Sequence, residues 1–311
     1  MTTKAWNLGL LAAIPAALLL AGCGGGGGGG DTTPAPTPTP PSTQATVTSA
    51  TVTNAKYSQN ALVTINGTNL DTGLTVTSAT CTGMARSTTA PNVSTATTAY
   101  YTCKAGTVAN NQTVSIVRTS DNATLSTPTF NVPLPQVTMT VSNGAGVSGS
   151  MVITLEAVRT PITVNNFLAY TNAGFYDGTV FHRSEPGFVI QGGGYLPVTG
   201  APTLKTGLLA PIELEVNKGL SNVQWSIAMA RNSDPNSATS QFFINLVNNT
   251  QLDPGVIPPG LIQVGYAVFG SVTANTALVT AIETAPCAAV ASFFNCVPTP
   301  AMVITKAEQT R

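Results

Sequence analysis

Charge is what this chain has least of. Of 311 residues, 12 are Lys or Arg and 12 are Asp or Glu, 8% in all, and the formal net charge is zero. No basic patch of five or more residues occurs, which excludes the electrostatic footprint of a nucleic-acid binder. Histidine is scarcer still, since His182 is the only one. There is no Cys-x-x-Cys pair either, so neither a zinc site nor a Ser/Cys–His–acid set can be assembled with any specificity. No organic cofactor is implied: the run Gly192-Gly193-Gly194 is not followed by the Lys-Ser/Thr of a phosphate loop, and no helical pattern starts there. A comfortable membrane span is missing too. The apolar stretch Leu8 to Leu20, interrupted by Pro15, falls short of the about 20 apolar residues that a transmembrane helix needs.

What that stretch does fit is an export leader over residues 1–22, with Lys4 as its short positive start. It ends Leu20-Ala21-Gly22-Cys23, which resembles a bacterial lipobox. The resemblance implies cleavage before Cys23 and acylation of that cysteine, so that lipid would be the chain's only hold on a membrane. The expected location is the cell envelope, anchored in the outer membrane and facing the periplasm. Residues 23–45 follow as a linker: Gly24 to Gly30 is a flexible coil and the Thr-Pro-rich Asp31 to Pro41 a stiffer, extended spacer. With Cys23 lipidated, Cys81, Cys103, Cys287 and Cys296 remain, and four cysteines allow three connectivities. The pairing Cys81–Cys103 and Cys287–Cys296 is favoured because each bridge then stays inside one domain, as suits an oxidising compartment.

The polar positions are dominated by Thr, Ser, Asn and Gly, a composition that suits β-structure. Over residues 46–132, β-branched and aromatic runs such as Leu62-Val63-Thr64-Ile65 and Tyr100-Tyr101-Thr102-Cys103 are separated by turn residues such as Asn66-Gly67 and Ser120-Asp121-Asn122. Seven or so strands with an internal disulfide predict a small Ig-like β-sandwich. No acidic cluster or histidine falls there, so it is read as a spacer or binding module. Pro133-Leu134-Pro135 marks the boundary to a second domain, residues 136–311. That domain opens with a period-2 hairpin, Val137 to Val141 and Gly149 to Leu155 about a turn at 143–146. Pro161 to Tyr170 then switches to helical spacing, with Val164, Phe167, Leu168 and Thr171 able to share one face, and Asn275 to Ile282 is a second candidate helix.

Five segments of this domain stand in an order that resembles the cyclophilin family of peptidyl-prolyl isomerases, nearest its bacterial periplasmic branch. They are Gly174-Phe175-Tyr176-Asp177-Gly178; Phe181-His182-Arg183 running on to Gly187-Phe188-Val189-Ile190-Gln191-Gly192-Gly193; Ile227-Ala228-Met229-Ala230-Arg231; Ser240-Gln241-Phe242-Phe243-Ile244-Asn245; and Gly265-Tyr266-Ala267-Val268-Phe269-Gly270. The resemblance implies a closed eight-stranded antiparallel β-barrel capped by two helices, so the fold expected for the whole chain is mainly β. It implies isomerisation of X–Pro bonds in proline-containing polypeptide clients by a monomer. Arg183 matches the catalytic arginine. Phe188, Val189, Phe243 and Leu252 match the walls of the proline pocket, Gln191 and Gln241 the amides near the substrate carbonyl, and Ala230, Arg231 and Asn232 the segment that pairs with the peptide backbone. Tyr266 stands where eukaryotic members carry histidine.

The chemistry of these residue types agrees independently. Rotation about X–Pro needs no nucleophile, only an apolar slot for the ring and a permanently charged donor near the prolyl nitrogen, and an arginine supplies the latter better than a lysine. His182 reads as a buried structural residue beside that arginine rather than a general base. Phe242 and Phe243, if borne on a strand, point to opposite faces, one to core and one to pocket. The sequence also departs from the family pattern. Gln251 replaces the tryptophan of cyclosporin-sensitive members, which predicts weak cyclosporin binding. Trp225 stands where most members have glycine, and a ring there requires a rearranged turn. Cys287 to Cys296 reads as a local insertion closed by its own disulfide.

Overall fold

The computed structural model describes residues 43–71, 73–197, 203–257, 261–290 and 294–311. The leader, Cys23 and the linker up to residue 42 lie outside the described residues. The described chain is mainly β with two α-helices.

Its first part holds nine short strands: β1 (Thr46–Thr53), β2 (Asn60–Thr68), β3 (Leu74–Thr77), β4 (Cys81–Arg86), β5 (Thr98–Ala105), β6 (Ala109–Thr113), β7 (Ser115–Arg118), β8 (Thr124–Ser126) and β9 (Thr129–Val132). They form a four-stranded sheet in the order β1-β2-β5-β4, a three-stranded sheet β3-β7-β8 and the pair β6-β9. Alternation explains the central strands. In β2 the residues Ala61, Val63 and Ile65 are buried, and in β5 Ala99, Tyr101, Cys103 and Ala105, while the residues between them are more exposed. Cys81 and Cys103 are bridged within this part, and Cys287 and Cys296 within the second.

The second part contains β10 (Gln136–Ser142), β11 (Ser148–Leu155), α1 (Pro161–Asn172), β12 (Val180–Glu185), β13 (Val189–Leu196), β14 (Thr203–Leu204), β15 (Ser226–Met229), β16 (Phe242–Asn245), β17 (Gly255–Ile257), β18 (Leu261–Gln263), β19 (Val268–Ala274), α2 (Thr276–Glu283), β20 (Cys287–Val290), β21 (Phe294–Pro298) and β22 (Met302–Gln309). Sheet order is β12-β22-β10-β11-β19-β15-β16-β13, and β13 pairs back onto β12, so eight antiparallel strands close a barrel. Closure leaves none of the eight as a bare edge. β14 extends β13 outside the ring, while β17-β18 and β20-β21 are separate hairpins.

Helix α1 starts at Pro161, whose missing N–H costs nothing in a first turn. No side chain of its own caps it. The carboxylate of Glu215, 52 residues on, accepts from the Thr163 backbone N–H at 2.6 Å and from its hydroxyl at 2.8 Å, which places negative charge at the helix N-terminus. Val164, Phe167, Leu168 and Thr171 are all buried. Phe167 meets Phe242 edge-on at 5.7 Å, and Tyr176 and Phe269 lie within about 5 Å of it, so the helix closes the barrel with aromatic packing.

Gln309, near the end of β22, ties the two parts together. Its amide donates to the Tyr57 carbonyl at 2.9 Å, its side-chain oxygen accepts from Gln59 at 2.8 Å and Asn172 at 3.1 Å, and its backbone carbonyl accepts from the Lys56 ammonium at 3.2 Å.

Candidate functional site

The sequence Arg183-Ser184-Glu185-Pro186-Gly187-Phe188-Val189 forms the end of β12, a tight turn and the start of β13. Phe188 N–H closes the turn on the Glu185 carbonyl at 2.9 Å, and Gly187 takes φ +74°, a conformation that glycine enters without strain. The turn is held from outside as well, because the Glu283 carboxylate at the end of α2 accepts from Gly187 N–H at 2.9 Å.

Register then sets the site. Arg183 is opposite Gln191, Gln191 opposite Phe243, Phe243 opposite Ala228, and Ala228 opposite Val268. Paired residues in neighbouring strands share a face. This row therefore runs across five strands on the face turned away from Phe181, Ile190, Phe242, Ile227 and Phe269 of the barrel interior. Val189, Ala228, Phe243 and Val268 form a small apolar cluster of their own, with Phe188, Ala230, Leu252 and Tyr266 packed on it. Above it is a cavity of about 230 Å³ lined by Arg183, Phe188, Val189, Gln191, Ala230, Arg231, Phe243, Leu252 and Tyr266.

Each wall has an identifiable support. Arg231 donates twice to the Gly265 carbonyl, at 3.1 and 2.9 Å, and its guanidinium lies 4.6 Å from the Tyr266 ring centre. Tyr266 in turn meets Phe243 edge-on at 5.5 Å. Leu252 ends a short 3-10 turn, Thr250–Leu252, and the adjacent Asp253 carboxylate accepts from Ser221 and, at 2.7 and 2.8 Å, from the backbone and side-chain amides of Asn222.

The polar side of the cavity is a chain of side chains. Arg183 donates through Nη1 to Gln191 Oε1 at 3.2 Å, and Gln191 Nε2 donates to Gln241 Oε1 at 3.0 Å. The glycine run beside it is a matter of clearance. A Cβ on Gly194 would sit 2.5 Å from Gln241 Cγ, and one on Gly193 2.7 Å from the Phe242 ring. Only bare backbone lets these two side chains come so close to β13.

Of the residues singled out in the sequence, Asn232 stays outside. It is exposed and engaged in its own loop, its N–H on Ser237 Oγ and its side-chain oxygen accepting from Asp234 N–H. Gln241 reaches the site through Gln191 rather than as a wall. Gln251 is exposed and donates to Asn249. His182, on β12 between Phe181 and Arg183, is fully buried, with the Tyr195 ring centre 4.6 Å away. Burial pushes its pKa down to about 4, with the neighbouring Arg183 charge adding to the fall and a hydrogen bond to the Val180 backbone opposing it, so the ring is neutral at pH 7.

Three carboxylates at the site carry no sequence expectation: Glu185, Glu283 and Asp253. The first was legible, since i and i+2 on a strand share a face. The other two act from elements far away in the chain. Elsewhere, a larger cavity of about 560 Å³ lies between the first part and α1, lined by Tyr57, Lys104, Asn165, Leu168, Asn172 and neighbours; among its lining residues Lys104 is the one charged side chain, and no arginine is present.

Comparison with known proteins points the same way. Residues 136–309 match the family model described as cyclophilin type peptidyl-prolyl cis-trans isomerase/CLD. The chain is 46% identical over 137 residues to peptidyl-prolyl cis-trans isomerase cyp18 of Streptomyces antibioticus, covering 44% of this chain and 78% of that protein. It is 44% identical over 124 residues to peptidyl-prolyl cis-trans isomerase B of Escherichia coli, covering 40% and 72%. To peptidyl-prolyl cis-trans isomerase A of Dickeya dadantii it is 42% identical over 125 residues, covering 40% and 61%.

Proposed function

The chain belongs to the cyclophilin-type peptidyl-prolyl cis–trans isomerase family, and on that premise we propose that Arg183 catalyses X–Pro rotation by donating to the prolyl nitrogen over the apolar wall of Phe188, Val189, Phe243 and Leu252. The observation that carries this reading is the cross-strand row Arg183–Gln191–Phe243, which sets a guanidinium and an apolar wall on one cavity.

The peptide C–N bond resists rotation with a barrier of about 18–20 kcal/mol because its nitrogen lone pair is delocalised. Unaided X–Pro isomerisation takes tens to hundreds of seconds. A permanently charged donor aimed at that nitrogen favours the twisted state, in which the lone pair is localised, over both planar ground states. The apolar wall holds the pyrrolidine ring while the chain beyond it turns, and Gln191 and Gln241 offer amide groups to the rotating carbonyl. No bond is made or broken, so no cofactor takes part.

The clients are proline-containing polypeptides of the cell envelope or on the secretory route. The protein works as a monomer tethered through acylated Cys23 in the outer membrane, facing the periplasm, with residues 46–132 as an Ig-like spacer or client-binding arm. Incorporation of radiolabelled palmitate by the wild type, lost in Cys23→Ser, tests the tether.

The mechanism is tested by protease-coupled isomerisation of a short X–Pro peptide. Wild type should exceed the uncatalysed rate by orders of magnitude and Arg183→Ala should lose most of that gain. No acceleration by folded, oxidised wild type would sink the reading.

A further inference from the structure

We propose that Glu185 is a positioning residue for the Arg183 guanidinium. The inference rests on the isomerase reading above and assigns a role within it. Arg183 and Glu185 are two apart on β12 and lie on one face. A single carboxylate oxygen, Glu185 Oε1, accepts from Arg183 Nε at 3.1 Å and from Nη2 at 2.6 Å. The Nη1 side is held by Gln191 Oε1 at 3.2 Å. Both sides of the planar group are therefore fixed, one by charge and one by a neutral amide.

The donor count gives the consequence. A guanidinium has five N–H groups in a rigid plane. Among the described residues Glu185 takes two of Arg183's and Gln191 takes one, which leaves one N–H on each terminal nitrogen for a substrate. An arginine side chain carries about 2 kcal/mol of rotamer freedom, and pinning it beforehand removes that loss from the catalytic step.

The pinning group is itself held. Glu185 opens the turn that Phe188 N–H closes, and Glu283 fastens the same turn at Gly187. The arginine's orientation is thus built into the loop that also delivers Phe188 to the cavity. Side-chain exposure of the pair is 29% and 33%, so it is screened and adds little to folding stability, which makes its removal a clean experiment.

The test uses the full chain with Glu185→Ala and Glu185→Gln, read in two ways. In isomerisation of a neutral Ala-Pro peptide, kcat should fall about tenfold in Glu185→Ala with KM little changed, the scale of one charge-assisted hydrogen bond. Glu185→Gln should lie between, because its amide oxygen still accepts. In nitrogen-15 NMR, the Arg183 Nε–H signal should be sharp and slowly exchanging in wild type and broadened in Glu185→Ala. Unchanged or raised kcat in both variants, or an Nε–H signal indifferent to Glu185, overturns the proposal. Should wild type itself show no isomerisation, the isomerase reading fails, and the NMR comparison still decides whether Glu185 pins the guanidinium.

Discussion

Phe242 and Phe243 are neighbours in β16 and serve different cores. Phe242 is completely buried in the barrel, edge-on to Phe167, Tyr176 and Phe181 at 5.6 to 5.9 Å. Phe243 belongs to the cavity cluster and meets Tyr266. Strand alternation puts a core aromatic and a cavity-lining aromatic one residue apart, and mutation should separate them. Phe242→Ala is expected to cost about 3–5 kcal/mol of unfolding free energy, as for any large ring removed from a packed core. Phe243→Ala should lower kcat/KM about tenfold or more, the equivalent of losing one apolar wall. Urea titration beside peptide isomerisation reads both. Equal stability losses with equal activity would contradict the division.

How much of this was legible in the sequence depends on where the determinant sits. The barrel hairpin 136–155, both helices and the Arg183-to-Gln191 segment declare themselves through local period and motif, and the structure has elements at those positions. In the first part about seven strands are expected and nine are present, the surplus lying in short segments with little apolar alternation. Ala109-Asn110-Asn111-Gln112-Thr113 has no apolar alternation; it is a strand because Thr129–Val132 offers a ladder partner. Glu215 capping α1 and Glu283 holding Gly187 act across 52 and 96 residues, and no local signal marks either.

Trp225 shows the same limit. It adopts φ +68°, a left-handed backbone rarely taken by a bulky residue. The conformation is imposed from both sides: its N–H donates to Asn245 at 2.8 Å and its carbonyl accepts from Val272 at 2.9 Å. Trp225 thus holds a backbone conformation that glycine enters without strain, and the ring has not moved it out of the left-handed region. Trp225→Gly and Trp225→Ala lose the same ring, so their difference isolates the backbone. Gly should be the more stable by about 1 kcal/mol, since only Ala retains a Cβ in that region. Thermal or urea unfolding of the two variants decides it, and an Ala variant equal to or better than Gly would refute the strain.

Gln309 predicts how the two parts behave as one body. Replacing it by Ala removes the donor to the buried Tyr57 carbonyl and the acceptor shared by Gln59 and Asn172. The expected cost is about 1–3 kcal/mol, that of leaving a buried polar group unpaired. Hydrogen exchange should quicken at residues 57–59 and along β22 while the barrel strands β15 and β16 keep their protection. Uniform acceleration throughout would mean that Gln309 supports the whole fold and not the junction.

His182 gives the pH dependence. Its folded pKa of about 4 lies below its ordinary value near 6.5, so the unfolded chain binds the proton more readily. Between those values the unfolded state carries more protons than the folded one, and stability must rise with pH. The contribution is fully present above about pH 6.5 and is lost progressively as pH falls toward 4, about 3 kcal/mol over the window at 1.36 kcal/mol per unit. Asp121, whose carboxyl is held below its ordinary value chiefly by the Ala123 backbone N–H, adds its own loss only at lower pH, so the His182 part is recognised by where it begins. Urea midpoints measured from pH 7.5 to 4.5 should decline from about 6.5 downward in wild type, and a His182→Gln variant, if less stable at pH 7, should be flat over that range. A wild type equally stable at pH 7 and pH 5 would show that the imidazole is not held neutral in the fold.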